Sequence, residues 1–187
     1  MPIAPEVAEQ LITAGRERSA ADHAESIRAY YPFWDTRYRP HLLQAVAALP
    51  PEHFDFKPRP EMLTAHQVIL HIAETEPGWV QGVVEGGSSE DFVARHEDPA
   101  QGWVTLVDAP DHALLGSLLE TCHRHTQRWL EKPPSELSRV FTWKNAEGVE
   151  RRATLHWIMD HLQEHEIHHR GQLILYLRLL GIEPPGI

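Results

Sequence analysis

The chain has 187 residues, of which 42% are hydrophobic and 24% charged, a composition typical of one soluble domain with a full hydrophobic core. Its formal net charge of −10, without a strong basic cluster, argues against nucleic acid as a partner, because a phosphate backbone would be repelled. The single cysteine excludes an intramolecular disulfide, and without an export leader or an apolar run of about 18 residues we expect a cytoplasmic protein with no membrane partner.

Two long helices are predicted in the first half of the chain. Residues 1–23 are interpreted as an N-terminal arm or a short helix that precedes the domain. Over residues 24–48 the apolar side chains are spaced by three and four, which predicts a helix that Pro32 and Pro40 would kink. After a proline-rich extended stretch, a second helix is predicted over residues 62–85, where two glycines stop it.

The second half of the chain predicts two more helices and a hairpin. A third helix covers about residues 110–130 and ends before a pair of prolines. Residues 139–153 contain two short strand patterns around a turn, which predicts a small hairpin before the last helix. The fourth helix opens with Thr154 as its N-cap and closes at Gly181. The expected fold is therefore an all-α four-helix bundle over residues 24–187.

Histidines are concentrated in the fourth helix: the chain has 14, and five of them lie between His156 and His169. On a helical wheel of about 100° per residue, His169 lies within the apolar stripe, His165 at its edge, and His161 and Gln172 just outside. A buried imidazole without a partner costs about 1–3 kcal/mol, so neighbouring histidines need a shared partner. A metal ion bound by histidines four positions apart is one such partner. Hydrogen bonds to carboxylates and carbonyls are the alternative.

A third metal ligand is expected from another helix. His71 on the second helix is the best candidate. His123 and His125 on the third helix are rivals, although residues two apart cannot both face inward. Glu74 and Glu166 are candidates for moving a proton at such a site. Glu166 is more simply interpreted as a surface residue or as a contact of a metal ligand.

The residues from His165 to His169 also match H-E-x-x-H, the signature of zinc proteases. The extended form of that signature requires glycine at position 172 and histidine at position 175, but the chain has Gln172 and Leu175. Another form requires a glutamate on a later helix, and only Glu183 follows, in a short tail. A protease is therefore disfavoured.

The pattern H-x-x-x-H-x-x-x-H-R-G-Q over residues 161–172, together with His71, resembles the DinB/YfiT-like superfamily of four-helix-bundle metalloproteins. The resemblance covers about residues 25–182. It implies that His71, His165 and His169 bind a divalent metal ion, with Zn or Ni favoured and Fe or Mn as alternatives. It also implies that His161 and Gln172 support these ligands without binding the ion.

The resemblance also implies a homodimer. Ile167 and Ile174, on the side of the fourth helix opposite the apolar stripe, are a candidate contact patch. The same two residues could instead pack against the N-terminal arm.

Three neutral imidazoles leave an open position on the ion, as in catalytic zinc sites, where a bound thiol or water can become a nucleophile. Members of the superfamily include S-transferases that use low-molecular-weight thiols, so we expect a thiol-dependent S-transferase acting on a small molecule. Because Cys122 is the only cysteine and is expected in the core, the sulfur would come from the cosubstrate. The alternatives are a metal-dependent hydrolase of a small substrate and a non-catalytic metal-binding stress-response protein.

Overall fold

Four α-helices and two hairpins form the part of the chain that the computed structural model describes, residues 25–87, 95–98, 102–105, 112–145 and 147–186. The helices are α1 (Arg39–Ala48), α2 (Ala65–Pro77), α3 (His112–Leu130) and α4 (Leu155–Leu179). The strands are β1 (Arg95–Asp98), β2 (Gly102–Thr105), β3 (Val140–Lys144) and β4 (Glu150–Thr154), paired antiparallel as β1 with β2 and β3 with β4. The arm predicted at residues 1–23 lies outside the described residues.

The first predicted helix is not continuous, so its prediction as one element from residue 24 is wrong. A 3₁₀ turn at Ile27–Tyr30 ends at Tyr31, whose φ of −125° and ψ of 52° are not helical. Tyr31 precedes Pro32, and the proline ring disfavours the helical conformation of the residue before it. The chain resumes as a π-helical turn, Trp34–Tyr38, which leads directly into α1. The end of α1 before the two prolines is as predicted.

The second helix has a well-defined start and an unusual end. Thr64 and Gln67 form a capping box, in which the Gln67 amide donates to Thr64 Oγ1 (3.1 Å) and the Thr64 amide to Gln67 Oε1 (2.9 Å). This box begins α2 at Ala65, slightly later than predicted. Pro77 has no N–H for the carbonyl four residues before it, and the chain continues as a π-helical segment, Gly78–Val84.

The third helix, the hairpin before the last helix and the fourth helix are confirmed. Gly148 has a φ of +75° in the turn between β3 and β4. The Trp157 amide donates to Thr154 Oγ1 (3.2 Å), which caps α4 as predicted. Gly181 follows α4 with a φ of +76°. The hairpin of β1 and β2 was not predicted.

The apolar core has two parts. One lies between all four helices and includes Leu42, Ile69, Leu118 and Leu173. The other joins the π-helical turns, the β3–β4 hairpin and the start of α4, and includes Ile27, Trp34, Val80, Phe141, Leu155 and Ile158. Among the described helices, none is both long and apolar enough to cross a bilayer.

The buried face of α4 is rotated relative to the prediction. Glu166 and Arg170 are buried, with 2% and 9% exposure, whereas His165 and His169 are only partly buried. The three other helices cover a wide arc of α4, so its buried face extends beyond the narrow apolar stripe. Ile174 belongs to that buried face, which contradicts its prediction as part of an outward patch. The homodimer stays a prediction.

Candidate metal centre

Helices α2 and α4 bring three imidazole rings together. His71 lies on α2, and His165 and His169 lie one turn apart on α4. Their ring centroids are 4.6 Å apart for His71 and His165, 4.7 Å for His71 and His169, and 4.3 Å for His165 and His169. The structure therefore assembles the three histidines that the sequence pattern and the resemblance singled out.

The spacing of the ring nitrogens fits a shared metal ion. One nitrogen from each ring lies within 4.8 Å of the other two, and the Nε2 atoms of His71 and His165 are 3.0 Å apart. Imidazole nitrogens bind zinc at about 2.0–2.1 Å, so two ligands of one ion lie about 3.0–3.4 Å apart. His71 is exposed and the other two are partly buried, so the centre opens to solvent on the α2 side.

Neighbouring polar groups orient two of the rings. Nδ1 of His169 lies 2.8 Å from Gln172 Oε1, which only accepts, so Nδ1 carries the hydrogen and Nε2 keeps its lone pair. The Thr75 hydroxyl donates to the His71 carbonyl (2.6 Å) and lies 3.4 Å from Nε2 of His165. Gln172 thus orients the ring of His169, and its role as the support of a metal ligand stays a prediction.

His161 makes a different set of contacts. Its ring is 5.9 Å from that of His165, measured between centroids, and it stacks on Trp157 at 5.0 Å with an interplanar angle of 6°. Trp79 meets it edge-on at 5.4 Å. His161 therefore joins the metal centre to a group of tryptophan rings, and no hydrogen bond connects it to the other histidines within the described part of the chain.

Burial and neighbouring imidazoles favour the neutral, metal-binding form of two ligands. Burial lowers the pKa of His165 to about 3, and the rings of His169 and His71 add to this effect. Burial also lowers the pKa of His169, although its bond to Gln172 opposes the change. Both rings are therefore neutral at pH 7, and a metal ion need not compete with protons for them.

A buried ion cluster lies behind the metal centre. Arg39 Nη2 pairs with Glu76 Oε2 (2.6 Å) and Glu166 Oε2 (2.8 Å), and the side chains of all three are at most 5% exposed. His123 continues the cluster from Glu76 (2.5 Å) to Asp35. We call these five residues the ion cluster.

Two sequence-based interpretations are wrong at this cluster. Glu166 is neither a surface residue nor a contact of a metal ligand, because it accepts from Trp34 Nε1 (3.0 Å) and pairs with Arg39. His123 was a rival metal ligand but bonds to carboxylates instead. His125, the other rival, lies beside Glu85. The sequence contained a signal for the burial of Glu166 and Arg170, because both follow the apolar Leu162 at spacings of four and so lie on the same face of α4.

The two carboxylates that share Arg39 have opposite pKa shifts. Burial raises the pKa of Glu76, but Arg39 and His123 outweigh burial and lower it to about 2. For Glu166, burial outweighs Arg39 and raises the pKa, and the charge of Glu76 raises it further. Glu76 is thus the firmly ionised member of the pair.

A cavity of about 10 Å³ separates the ion cluster from the metal centre. Its lining includes His165 and Thr75 on one side and Arg39, Glu76 and Glu166 on the other. On this measure, about 10–15 Å³ is the smallest space that holds one water molecule. Oε1 of Glu166 is buried and has no hydrogen-bond partner among the described residues. A single water there would connect the cluster to the centre.

The remaining sequence candidates are separate from the centre. Glu74 is exposed on α2. Cys122 is buried in the core between the helices, and burial raises its pKa to about 12. Its thiol is therefore protonated and shielded at neutral pH, which excludes it as a nucleophile in the folded protein.

A helical bundle in which two helices supply a three-histidine group that could hold a metal ion defines the class of this protein. The chain belongs to the DinB family, whose model matches residues 25–187. It is 28% identical over 131 residues to the uncharacterized protein YjoA of Bacillus subtilis (strain 168), an alignment that covers 70% of this chain and 75% of YjoA.

Solved structures support the same assignment. The crystal structure of the DinB-like protein YjoA matches with a TM-score of 0.56 and 26% identity, over 80% of this chain and 90% of that one. A DinB-like protein from Bacillus cereus ATCC 10987 matches with a TM-score of 0.57 over 87% of this chain and 98% of that one. At 17% identity, the second likeness shows the fold alone.

Proposed function

We propose that His71, His165 and His169 bind a divalent metal ion, Zn or Ni in preference to Fe or Mn, and that the protein is a thiol-dependent S-transferase. The observation that carries the proposal is the convergence of three ring nitrogens within 4.8 Å of one another on a side of the bundle where His71 is exposed. Three protein ligands and an accessible side are typical of catalytic rather than structural sites.

The chain's own residues supply binding and orientation. A bound ion would lower the pKa of a thiol or a water and make it a nucleophile at neutral pH. Because the three ligands are neutral imidazoles, they leave the charge of the ion uncompensated, which strengthens this effect. Gln172 fixes the ring of His169, and Thr75 lies beside His165, where its hydroxyl oxygen can accept a hydrogen bond from an incoming group while the hydroxyl donates to the His71 carbonyl.

The source of the sulfur is a small thiol rather than the protein. Cys122 is 3% exposed and its pKa is raised to about 12, so it does not supply a thiolate. The resemblance to a superfamily that contains S-transferases favours a low-molecular-weight thiol as cosubstrate. The open side at His71 gives such a thiol access to the centre.

Neither predicted acid is assigned a role in proton transfer. Glu74 is exposed, and Glu166 is buried with its Oε2 bonded to Arg39 and Trp34. Loss of the thiol proton would therefore depend on the bound ion and on solvent at the open side. This dependence favours a thiol over water as the substrate that is activated, because a thiol is the stronger acid.

The test combines metal analysis with thermal unfolding. We expect the purified protein to contain close to one equivalent of a divalent metal, and His169→Ala to lose it. The matched control is His156→Ala, which removes an exposed histidine of the same helix that pairs with Asp160. A thiol present at about one hundred times its Kd should stabilise the metal-loaded protein by about 2.7 kcal/mol, which raises Tm by about 5–10 °C.

Three outcomes separate the alternatives. Stabilisation by a thiol in the wild type and in His156→Ala, but not in His169→Ala, supports thiol delivery to the ion. Metal binding without any response to thiols, but with hydrolysis of a small ester that His169→Ala lacks, would replace the S-transferase by a hydrolase. A wild type that binds no divalent metal would refute the proposal as a whole.

A further inference from the structure

We infer a second binding site beside the metal centre: a groove, lined by Trp143, Arg151 and Trp157, that takes a planar organic anion. This inference deepens the proposed function, on which it rests, because it gives a chemical class to the substrate that reaches the three histidines. The rings and charges that form the groove do not depend on a bound metal.

The first observation is an aromatic cluster that is continuous with the metal centre. We use this name for Trp79, Trp143, Trp157 and His161. Trp79 meets the rings of Trp143 and Trp157 edge-on, at centroid distances of 4.9 Å and 5.5 Å. Because His161 stacks on Trp157 and neighbours His165, aromatic surface extends from the hairpin to the first metal ligand on α4.

The second observation is an open groove along this cluster. It has a volume of about 440 Å³ and is lined by Trp143, Trp157 and the run Arg151, Arg152, Ala153 and Thr154. Trp157 is 48% exposed, although exposing an indole to water is unfavourable. The size suits a small molecule, and the two indoles offer flat apolar surface to it.

The third observation is the charge of the lining, which contains two arginines and no acidic residue. Neither arginine makes an ion pair, and the indole N–H groups of Trp143 and Trp157 have no acceptor, within the part of the chain that the structure describes. Tryptophan faces attract cations, but the exposed guanidinium group of Arg151 would repel them, so the ligand is an anion.

The hairpin register identifies Arg151 as the main anion contact. Arg151 lies directly opposite Trp143 in the β3–β4 pair, and cross-strand partners point to the same face of a hairpin. Arg152 is its neighbour in sequence, so its side chain leaves the opposite face. A ligand that stacks on Trp143 is thus within reach of the guanidinium of Arg151, which suits a carboxylate or a similar planar anion.

The distance to the metal centre sets the length of the ligand. Trp157 and His165 are eight residues apart on α4, which corresponds to about 12 Å along the helix. A substrate whose apolar body stacks on Trp157 would therefore extend about 12 Å along α4 to present its reacting atom to the histidines. This length corresponds to a small organic acid with a planar apolar body between its charge and its reacting end.

The experiment uses 2-naphthoate as the probe and isothermal titration calorimetry as the measurement. We expect it to bind the wild-type protein, and 2-naphthylmethanol, which has the same rings without the charge, to bind about fivefold more weakly. Arg151→Gln should raise the Kd of 2-naphthoate about fivefold and leave that of the alcohol unchanged. The control Arg178→Gln, which removes an exposed charge far along α4, should change the Kd less than about twofold.

Equal binding of the acid and the alcohol, or equal effects of the two arginine variants, would overturn the inference, since general hydrophobicity or net charge would then explain the binding. Arg151 is exposed, and an unchanged Tm would show that Arg151→Gln is folded. Repeating the titration after treatment with a chelator separates the two proposals. Binding of 2-naphthoate that persists after chelation shows that the groove does not need the metal. If the untreated wild type binds 2-naphthoate but holds no divalent metal, the metal proposal alone is removed, whereas a thiol response without binding of 2-naphthoate removes the groove alone.

Discussion

The two carboxylates of the ion cluster should respond differently to the same substitution. Glu76→Gln removes the carboxylate whose pKa Arg39 and His123 hold at about 2 against an ordinary value of 4.5. A depression of that size corresponds to about 3 kcal/mol of stability at pH 7. Breaking a buried ion pair from one side costs about 3–5 kcal/mol in other proteins, which agrees with this figure.

Glu166→Gln removes a carboxylate whose charged form is already disfavoured by burial. Its pKa is raised because burial outweighs the attraction of Arg39, so the charged form gains little in the folded state. The amide oxygen of glutamine can still accept from Trp34 Nε1. Arg39 also keeps Glu76 as its partner. We therefore expect a cost below about 1 kcal/mol, although Glu166 is as deeply buried as Glu76.

Urea unfolding followed by circular dichroism at pH 7, with a chelator present, measures both costs without a contribution from metal binding. Glu74→Gln is the matched control, because Glu74 is an exposed carboxylate two residues before Glu76 on the same helix.

The pKa of Glu76 is depressed on folding, so its stabilisation is present above about pH 4.5 and is lost as the pH falls towards 2. The wild type and Glu76→Gln should therefore converge in acid. A cost for Glu166→Gln equal to that for Glu76→Gln would refute the reasoning.

Three further predictions concern α4, the core and the metal ligands. Thr154→Ala should lower the free energy of unfolding by about 1 kcal/mol through loss of its bond to the Trp157 amide, while Thr154→Ser retains it; equal losses would contradict the capping role. Cys122 should not react with a disulfide reagent in the native protein and should react once urea unfolds it, because burial raises its pKa to about 12. In metal-free protein, His165 should remain neutral at pH 5 by NMR, since burial and its neighbours lower its pKa to about 3. The unfolded chain takes up that proton near pH 6.5, so this histidine should make the metal-free protein less stable as the pH falls below 6.5.

Local signals in the sequence were enough to predict most of the helices. Thr154, Gly181 and the proline pairs act on their immediate neighbours, so their effects can be read from one stretch of chain. The interruptions within the first and second predicted helices were harder to predict. Pro77 lacks the N–H of a regular helix, but it does not end the helical path, because the chain continues as a π-helical segment, Gly78–Val84.

The group of three histidines could be predicted and the ion cluster could not, for a physical reason. His165 and His169 are four residues apart, so their proximity follows from helix geometry, and only His71 required a choice among helices. The members of the ion cluster come from four separate segments of the chain, at positions 35–39, 76, 123 and 166. No periodicity pairs such residues, because their contacts depend on how the helices are rotated about their own axes.

The rotation of α4 about its own axis is fixed by the ion cluster and sets the positions of His165 and His169. Glu166 follows His165 and pairs with Arg39. Arg170 follows His169 and donates to the carbonyl of Tyr38. Both buried side chains therefore hold α4 at the junction of the π-helical turn with α1. Apolar contacts are not directional and would tolerate a small turn of α4 about its axis, whereas ion pairs and hydrogen bonds would not. A buried ion pair adds little net stability compared with apolar side chains of the same size. Its benefit here is orientation, because a shift of α4 by one residue, about 100° of rotation, would carry both of its histidines away from His71.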